Sequence, residues 1–395
     1  MVSDVSVPER FGSYAISLLK ELVRIPSVNP YDDASSGGEK EIAEFIASTL
    51  DDMGLKVSLQ HVNRNRRNVI GTLKGGSKGS IMLNAHLDTV GVTGMTIDPF
   101  LPTVKNGRLY GRGSCDTKSS AASMIAAIKW LVEENTELKR DVIFAGVADE
   151  EFRSAGTREL IKKHITDAAI VGEPTGGNVA TAHKGYAWIE INTRGRAAHG
   201  SVPEAGLDAI EKTGRIVTGL AQLNRTFRVK HPLLGKSTLH MSRISGGNEW
   251  AIIPDSCTLQ IERRLLPGES GSSAIAEVRD VISELTREDK DIRADAKLVF
   301  EQKPAELAVD NPFVRRMFEA YRNCFGKEAE FTGLPYWTDA SLLINDAGIP
   351  TCIFGPGDIR LAHGASEHVS LSEVTKSVAF YREAVLCFCG NVQCR

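Results

Sequence analysis

The chain has 395 residues, 42% hydrophobic and 25% charged, with 47 Lys and Arg against 50 Asp and Glu. At roughly 150 residues per domain this length predicts two or three domains. The formal net charge of -3 argues against broad nucleic-acid binding, which needs a basic face. No apolar run reaches the roughly 18 residues that a membrane span requires. Seven scattered cysteines, and an N-terminus without a basic and then apolar segment, favour a reduced, cytoplasmic protein.

The first 180 residues alternate between helical and strand patterns. Apolar residues at helical spacing predict amphipathic helices over 13–23 and 39–53. Runs that are apolar on both faces predict buried parallel strands; they are 81–85, 142–148, 168–171 and 350–354. With a further helix expected over 117–134, the layout predicts an α/β fold whose mostly parallel sheet is sandwiched by helices. The glycine-rich segment 71–80 lacks the Gly-Lys-Ser/Thr of a phosphate-binding loop and predicts a hairpin turn.

The middle of the chain has a different pattern, beginning with an alternating strand. The predicted elements are a strand at 186–193, a helix at 205–223, strands at 237–244 and 252–265, a helix at 272–286 and a strand at 295–300. The order β-α-β-β-α-β is typical of a small α+β open-faced sandwich. We therefore predict an inserted domain at 182–303 within a catalytic domain formed by 1–181 and 304–395.

The predicted buried strands all end near side chains that can bind a metal ion. The residues concerned are His86 and Asp88, Glu150 and Glu151, Glu173, and His363. Asp116 lies just before the helix expected at 117–134. In open parallel sheets ligands bind at the carboxyl ends of the strands, so these side chains should converge.

Two imidazoles with three or four carboxylates suit zinc or a similar divalent ion. They are too many ligands for one tetrahedral catalytic site, but they suit two ions that share a carboxylate. Asp88 would orient the imidazole of His86. One member of the pair Glu150 and Glu151 would remain as a general base, and the spacing does not say which. Each feature alone is more often a structural histidine or a solvated acidic loop; their joint occurrence favours the metal site.

Five stretches in order carry a resemblance over nearly the whole chain: Asn84-Ala85-His86-Leu87-Asp88-Thr89-Val90, Gly111-Arg112-Gly113-Ser114-Cys115-Asp116-Thr117-Lys118, Ala148-Asp149-Glu150-Glu151, Val171-Gly172-Glu173-Pro174-Thr175, and Ala362-His363 to Glu367-His368-Val369. The chain resembles the aminoacylase and acetylornithine deacetylase family of di-zinc peptidases, which includes succinyl-diaminopimelate desuccinylases and several dipeptidases. The resemblance implies that His86, Asp116 and Glu173 hold one zinc ion, for which cobalt can substitute. Asp116 would bridge to a second ion held by Glu151 and His363, with Glu150 as the base and Asp88 orienting His86.

In this family the inserted domain is a lid and often pairs two chains, so the resemblance implies a homodimer, to which an exposed edge strand at 186–193 could contribute; a monomer is the alternative. His199 matches a histidine that stabilises the oxyanion in a neighbouring active site; without the resemblance it would be a surface loop residue. Arg264 matches an arginine that binds the substrate carboxylate. The alternative is an alternating strand with one arginine in solvent, which can apply to Arg263. Asp339 falls in a loop that borders the family's active site.

The expected activity is hydrolysis of the amide bond of a small N-acyl-amino acid, nearest the acetylornithine deacetylase-like branch. A dipeptidase or carboxypeptidase of the same family is the alternative. A non-catalytic binding protein on the same scaffold is disfavoured because every metal ligand and the base are present. The chain departs from many relatives in having Thr117-Lys118-Ser119-Ser120 after the bridging aspartate, where they have Met-Lys-Gly-Gly. Cys387, Cys389 and Cys394 match no zinc-binding spacing and are interpreted as a tail.

Overall fold

The computed structural model describes residues 6–63 and 65–390, so Cys394 lies outside the described residues. The chain forms two compact units. The larger comprises the chain up to Thr181, Leu307–Thr332 and the chain from Thr338 onward, and the smaller comprises Ala182–Glu306 and Gly333–Trp337. Among the helices of the described part, none is long and apolar enough to cross a membrane.

The helices are α1 (Glu9–Arg24), α2 (Lys40–Asp52), α3 (Lys118–Glu133), α4 (Ala155–Leu160), α5 (Ala209–Thr226), α6 (Gly271–Glu288), α7 (Pro312–Phe325) and α8 (Leu371–Cys389). The strands are β1 (Lys56–Asn63), β2 (Arg66–Leu73), β3 (Ser80–His86), β4 (Thr103–Lys105), β5 (Arg108–Tyr110), β6 (Asp141–Val147), β7 (Ala168–Val171), β8 (Ala180–His183), β9 (Gly185–Arg194), β10 (Ala198–His199), β11 (Lys230–His231), β12 (Gly235–Lys236), β13 (Thr238–Gly246), β14 (Ile252–Ile253), β15 (Ser256–Leu265), β16 (Arg293–Gln302), β17 (Ala305–Glu306), β18 (Thr332–Leu334), β19 (Thr351–Ile353) and β20 (His368–Ser370).

The central sheet of the larger unit has the order β1-β2-β6-β3-β7-β19-β8. Its middle strands β6, β3, β7 and β19 are parallel; Leu83 lies opposite Phe144 on one side and Ile170 on the other. All of β7 is buried, which explains why its sequence is apolar on both faces. Helices α1, α3, α7 and α8 pack against one another and share one hydrophobic core with the sheet. The expected α/β fold with a parallel sheet at its centre is confirmed.

The segment between β2 and β3 is not a hairpin, contrary to the sequence prediction. Strand β6 lies between β2 and β3 in the sheet, so the two cannot pair with each other. The backbone of Gly76 and Ser77 instead donates hydrogen bonds of 2.7 Å to the carbonyl oxygens of Leu138 and Lys139, just before β6. A glycine-rich segment marks a change of direction, but it does not say which strand comes next in space.

The smaller unit contains a four-stranded antiparallel sheet with the order β13-β15-β9-β16. Helices α5 and α6 pack on it, and Ile189 and Ile191 of β9 join Ile216 and Val278 in its core. Strand β9 therefore lies inside the sheet, and the expectation that 186–193 forms an exposed edge is wrong. The predicted strand 252–265 is also divided, because β14 leaves the sheet and pairs with β10.

Helix α3 approaches the ends of β7 and β19 very closely. A Cβ placed on Gly172, directly after β7, would lie 2.6 Å from Cβ of Ser120 in α3. A Cβ on Gly355, after β19, would lie 2.4 Å from Oγ of Ser120 and 2.5 Å from the carbonyl oxygen of Glu173. The small residues thus place the first turn of the helix beside the carboxyl ends of the parallel strands.

Candidate metal centre

The candidate site lies at the carboxyl ends of the parallel strands. His86 is the last residue of β3, and Glu173 follows β7 by two residues. Glu150 and Glu151 follow β6, while Asp116 precedes the first residues of α3. His363 lies in the loop after β19 with a left-handed φ of 59°.

The imidazoles and carboxylates form a continuous cluster. Nε2 of His86 is 3.0 Å from Oδ1 of Asp116. The other oxygen of Asp116 is 3.3 Å from Nε2 of His363, which is itself 3.2 Å from Oε1 of Glu151. One ligand atom each from His86, Asp116 and Glu151 lie within 4.8 Å of one another, as do those of His86, Glu150 and Glu173. The structure therefore brings together every residue that the sequence suggested as a ligand or base.

Burial and the excess of carboxylates shift the acid–base properties of the cluster. Burial raises the pKa of Glu150 well above its usual range, and the neighbouring charge of Glu173 adds to that shift. Burial also raises the pKa of Glu173 and of Glu151. Burial alone would lower the pKa of His363, but its hydrogen bonds to Asp116 and Glu151 raise it to about 11.

The donor set fits divalent cations. Four carboxylates face two imidazoles, and Oε1 of Glu173 is buried without a hydrogen-bond partner among the residues that the structure describes. A buried carboxylate without a partner is costly unless a cation neutralises it. Imidazole nitrogen and carboxylate oxygen are ligands that zinc and related ions accept.

Asp88 contributes to the cluster in a different way from the one expected. The backbone carbonyl of Asp88, rather than its carboxylate, lies 2.9 Å from Nδ1 of His86. The carboxylate instead accepts hydrogen bonds of 3.1 Å from the amides of Glu150 and Glu151. Its nearer oxygen is 3.8 Å from the imidazole. Asp88 therefore holds His86 through its main chain and the two glutamates through its side chain.

Sequence reasoning did not assign a role to Glu367 or Arg112, although both fall within the quoted stretches. Oε1 of Glu367 accepts hydrogen bonds of 2.9 and 3.1 Å from the amides of Cys115 and Asp116. Arg112 pairs with the other oxygen at 2.6 Å and also donates to the carbonyl of Gly91. This buried pair fixes the backbone that carries Asp116. Its partners are about 250 residues apart in the chain, so spacing gave no signal of it.

Asp339 is a buried carboxylate next to α4. Its Oδ2 accepts a 2.6 Å hydrogen bond from the hydroxyl of Thr157, and burial raises the pKa of Asp339 to about 6.

The smaller unit holds the remaining sequence candidates. His199 is exposed, and its Nδ1 accepts a 3.1 Å hydrogen bond from the amide of Ser201, so the neutral ring carries its proton on Nε2. Arg264 is partly exposed and pairs with Glu262 at 2.7 Å. Arg263 is not in solvent, contrary to the alternative considered for it: it is 1% exposed and pairs with Glu269 and Glu277.

Comparison with known proteins adds a family match and curated relatives. A model of peptidase family M20/M25/M40 matches residues 82–386. A peptidase M20 domain-containing protein of Schizosaccharomyces pombe is 30% identical over 381 residues, which are 95% of this chain and 85% of that protein. An acetylornithine deacetylase of Myxococcus xanthus is 31% identical over 369 residues, 89% of this chain and 90% of that enzyme. An N-formyl-4-amino-5-aminomethyl-2-methylpyrimidine deformylase of Bacillus subtilis is 29% identical over 414 residues and is covered to 95%, as is this chain.

Solved structures share the fold at lower identity. Aminopeptidase PepT of Bacillus cereus matches with a TM-score of 0.77 and 21% identity, covering 95% of this chain and 98% of that one. A dinuclear metal-binding peptidase of Bacillus subtilis matches with a TM-score of 0.74 and 19% identity, covering 98% of this chain and all of that one.

Proposed function

The chain belongs to peptidase family M20/M25/M40, and from that membership we propose that it is a deacylase of N-acyl-amino acids, close to acetylornithine deacetylase. It is a metal-dependent hydrolase that acts on amide bonds. The observation that carries the proposal is the cluster of His86, Asp116, Glu150, Glu151, Glu173 and His363 at the strand ends. The acetylornithine deacetylase of Myxococcus xanthus, similar over nearly its whole length, supports the choice of substrate class.

Two divalent ions, zinc or in its place cobalt, are the proposed cofactors. His86, Asp116 and Glu173 would hold one ion, and Asp116, Glu151 and His363 would hold the other. When bound, the pair polarises the acyl carbonyl and lowers the pKa of a water molecule towards about 7. The excess of carboxylates over imidazoles supports two cations rather than one.

Glu150 is the proposed general base. It takes a proton from the attacking water and returns that proton to the leaving amine. Burial raises the pKa of Glu150, which supports this role because a more basic carboxylate holds the proton until it passes to the leaving amine. Asp88 keeps Glu150 and Glu151 side by side by accepting both of their amide hydrogens.

Two residues of the smaller unit are proposed to contact the substrate. Nε2 of His199 is the donor of its ring and is suited to the oxyanion of the tetrahedral intermediate. Arg264 would pair with the substrate carboxylate, for which a planar guanidinium is suited. Glu262 holds Arg264 at 2.7 Å through Nε, which leaves the two terminal nitrogens of the fork for a second carboxylate.

A homodimer through the smaller unit and a cytoplasmic location complete the proposal. Strand β13 is an edge of its sheet, and most of its residues are exposed. An exposed edge of this length can pair with a second copy. The described cysteines are buried and form no disulfide with one another, which fits a reducing compartment.

The deciding experiment is a substrate panel assayed with the zinc-loaded and the cobalt-loaded protein. N-Acetylornithine, other N-acetyl-amino acids and matched dipeptides are compared at equal concentration, with the Glu150→Ala variant as the blank. Preferential turnover of N-acyl-amino acids supports the proposal. Preferential cleavage of dipeptides would replace it with a dipeptidase, and two bound ions without any turnover would indicate a binding protein.

A further inference from the structure

We infer that Arg66 is a positioning residue that fixes the loop carrying Glu150 and Glu151, an inference that rests on the proposed function of these two glutamates. Arg66 is the first residue of β2, and no motif of the metal centre includes it. It acts through a network of side chains, defined here as Asn29, Glu39, Asp88 and Asp149 together with Arg66, and called the loop brace.

The guanidinium of Arg66 is shared between the carboxylates of the loop brace. Its Nε donates to Glu39 at 2.9 Å, and one terminal nitrogen pairs with the other oxygen of Glu39. The second terminal nitrogen donates to Oδ1 of Asp149. Oδ2 of Asp88 lies 4.0 Å from the terminal nitrogen that pairs with Glu39. Arg66 is 8% exposed and Glu39 is fully buried. Water therefore takes little part in neutralising these charges.

Two of these carboxylates, those of Asp88 and Asp149, hold the backbone of the loop that carries Glu150 and Glu151. Asp88 accepts the amide hydrogens of Glu150 and Glu151. Asp149 has a left-handed φ of 72°, and its Oδ2 accepts the amide hydrogen of Ala155. A left-handed non-glycine residue persists only where its surroundings determine it.

Asn29 joins the same two carboxylates. Its Nδ2 donates to Asp88 at 2.8 Å and to Asp149 at 3.2 Å. It adds neutral hydrogen bonds, whereas Arg66 supplies the positive charge that faces three buried carboxylates. Removal of Arg66 leaves those negative charges close together and uncompensated, so we expect the loop to move until water reaches them.

A movement of this loop would affect both proposed functions of its glutamates. Glu151 groups with His86 and Asp116, and Glu150 groups with His86 and Glu173. Because the two side chains are consecutive and serve different groups, one displacement disturbs both the base and a metal ligand. A displacement of about 1 Å can cost about 100-fold in rate.

The first test measures the loop directly and needs no activity. Hydrogen–deuterium exchange is followed by mass spectrometry in the metal-free Arg66→Ala variant, in wild type and in an Arg382→Ala control. Arg382 is also a poorly exposed arginine of the larger unit, but its partners are Glu134, Glu383 and the ring of Trp130. We expect at least about tenfold faster exchange of residues 148–156 only in Arg66→Ala, since local opening exposes these amides.

The second test separates positioning from general destabilisation. In the metal-loaded enzyme we expect Arg66→Ala to lower kcat about 100-fold with KM changed less than about threefold, because substrate contacts are untouched. Millimolar methylguanidinium should restore at least a tenth of the lost kcat in Arg66→Ala and have no such effect on Arg382→Ala. Arg66→Lys, which keeps the charge but loses the planar fork of the guanidinium, should have a kcat between those of Arg66→Ala and wild type.

Unchanged exchange of residues 148–156 in Arg66→Ala, or kcat within threefold of wild type, overturns the inference. If Arg66→Ala does not fold, Arg66→Lys replaces it, because that change loses the fork that joins Glu39 and Asp149 but keeps the charge. Normal exchange of the same segment in Arg66→Lys would then overturn the inference. Inactivity of wild type towards the whole substrate panel would instead count against the proposed function, while the exchange result would still decide the role of Arg66.

Discussion

Asp116 lies where the two halves of the cluster meet. One of its oxygens faces His86 and the other faces His363. Burial alone would raise the pKa of Asp116, but its hydrogen bonds with the two imidazoles lower it below its usual range. It therefore stays ionised, whereas burial and the neighbouring charge of Glu173 raise the pKa of Glu150 and favour its protonated form. One cluster thus contains carboxylates of opposite character.

At this scale, the first prediction separates the base from a ligand. Glu150→Ala should lower kcat by about 10²–10⁴-fold with its metal content unchanged, because proton transfer is lost while the ligands remain. Glu151→Ala should lose activity together with bound metal. Both are measured by elemental analysis after dialysis and by steady-state kinetics. The control is Glu137→Ala, an exposed glutamate beyond α3; substantial activity in Glu150→Ala would refute the assignment of the base.

A second residue-scale prediction concerns Arg264. Arg264→Met should lower kcat/KM for an N-acetyl-amino acid by about tenfold or more, since a charge-assisted hydrogen bond contributes about 1.5–3 kcal/mol. The matched control is the same substrate with its carboxylate converted to an amide. Wild type and variant should cleave that amide at similar rates. An equal loss on both substrates would show that Arg264 does not bind the carboxylate.

The side chains of the cluster could be predicted from the sequence because residues able to bind a metal ion stand just after the predicted strands. His86, Glu150 and Glu173 each come after an apolar run that predicts a buried strand. The loop brace left no comparable signal. Arg66 contacts Glu39 and Asp149, which are 27 and 83 residues away in the chain. In the sequence alone it is not distinguished from an arginine exposed to solvent. Asp88 shows a further limit, since spacing cannot distinguish its carbonyl from its carboxylate.

At the scale of elements, the contact of α3 with β7 and β19 is the feature most sensitive to volume. Ser120 stands where many relatives have glycine, and Gly172 and Gly355 leave the space that its side chain needs. The glycines that follow β7 and β19 thus make room for the serine at position 120, where the chain departs from the family pattern. The first turn of α3 follows Asp116 directly, so this contact also fixes a proposed ligand.

The space around Gly355 and Gly214 predicts opposite effects on stability when each is replaced by alanine. Gly355→Ala should lower the free energy of unfolding by about 1–3 kcal/mol, because its Cβ would meet the rigid backbone of Glu173. Gly214→Ala, in the exposed middle of α5 with open space around it, should raise it by about 0.5–1 kcal/mol. Denaturant unfolding followed by circular dichroism measures both. An unchanged free energy of unfolding in Gly355→Ala would mean that α3 and the backbone of Glu173 can shift at little cost.

The elements that periodicity predicted mostly agree with the structure to within a few residues, because periodicity reports which faces are buried, but others such as α7, α8, β1 and β2 were not predicted. It did not predict the neighbours of a strand. The alternation of β9 is the same whether the strand is an edge or lies between β15 and β16, and it proved to be internal. Likewise, the residues between β2 and β3 could not reveal that β6 lies between these strands.

At the scale of the whole molecule, rising pH should destabilise the metal-free protein, whereas the metal-loaded protein should keep its stability. An unfolded histidine titrates near 6.5, whereas the pKa of His363 is about 11 in the fold, so its contribution is complete below about pH 6.5 and is lost as the pH rises towards 11. The pKa values of Glu150 and Glu173 are also raised in the fold, so their contributions to stability likewise fall with rising pH and are complete below about pH 4.5. Asp116, whose pKa is lowered, contributes above about 3.8 and does not change in this range.

The metal-free protein should therefore lose stability from about pH 6 to about pH 9, while the loaded protein should not, because its ligands are already deprotonated. We expect the difference in Tm between the loaded and the EDTA-treated protein to widen over this range. Differential scanning calorimetry at constant free zinc measures it, with the His363→Ala variant as the control that removes the titration of that imidazole. A gap that narrows with rising pH would contradict the assignment of the imidazoles as ligands.

Strand β19 occupies the gap between β7 and β8, although both of those strands precede it by more than 160 residues. During synthesis on the ribosome, β7 and β8 emerge well before β19, and His363 follows only afterwards. Fragments that stop before this point present two bare strand edges in the middle of an apolar layer. Premature termination should thus yield material that chaperones retain or that aggregates, rather than a partly active enzyme.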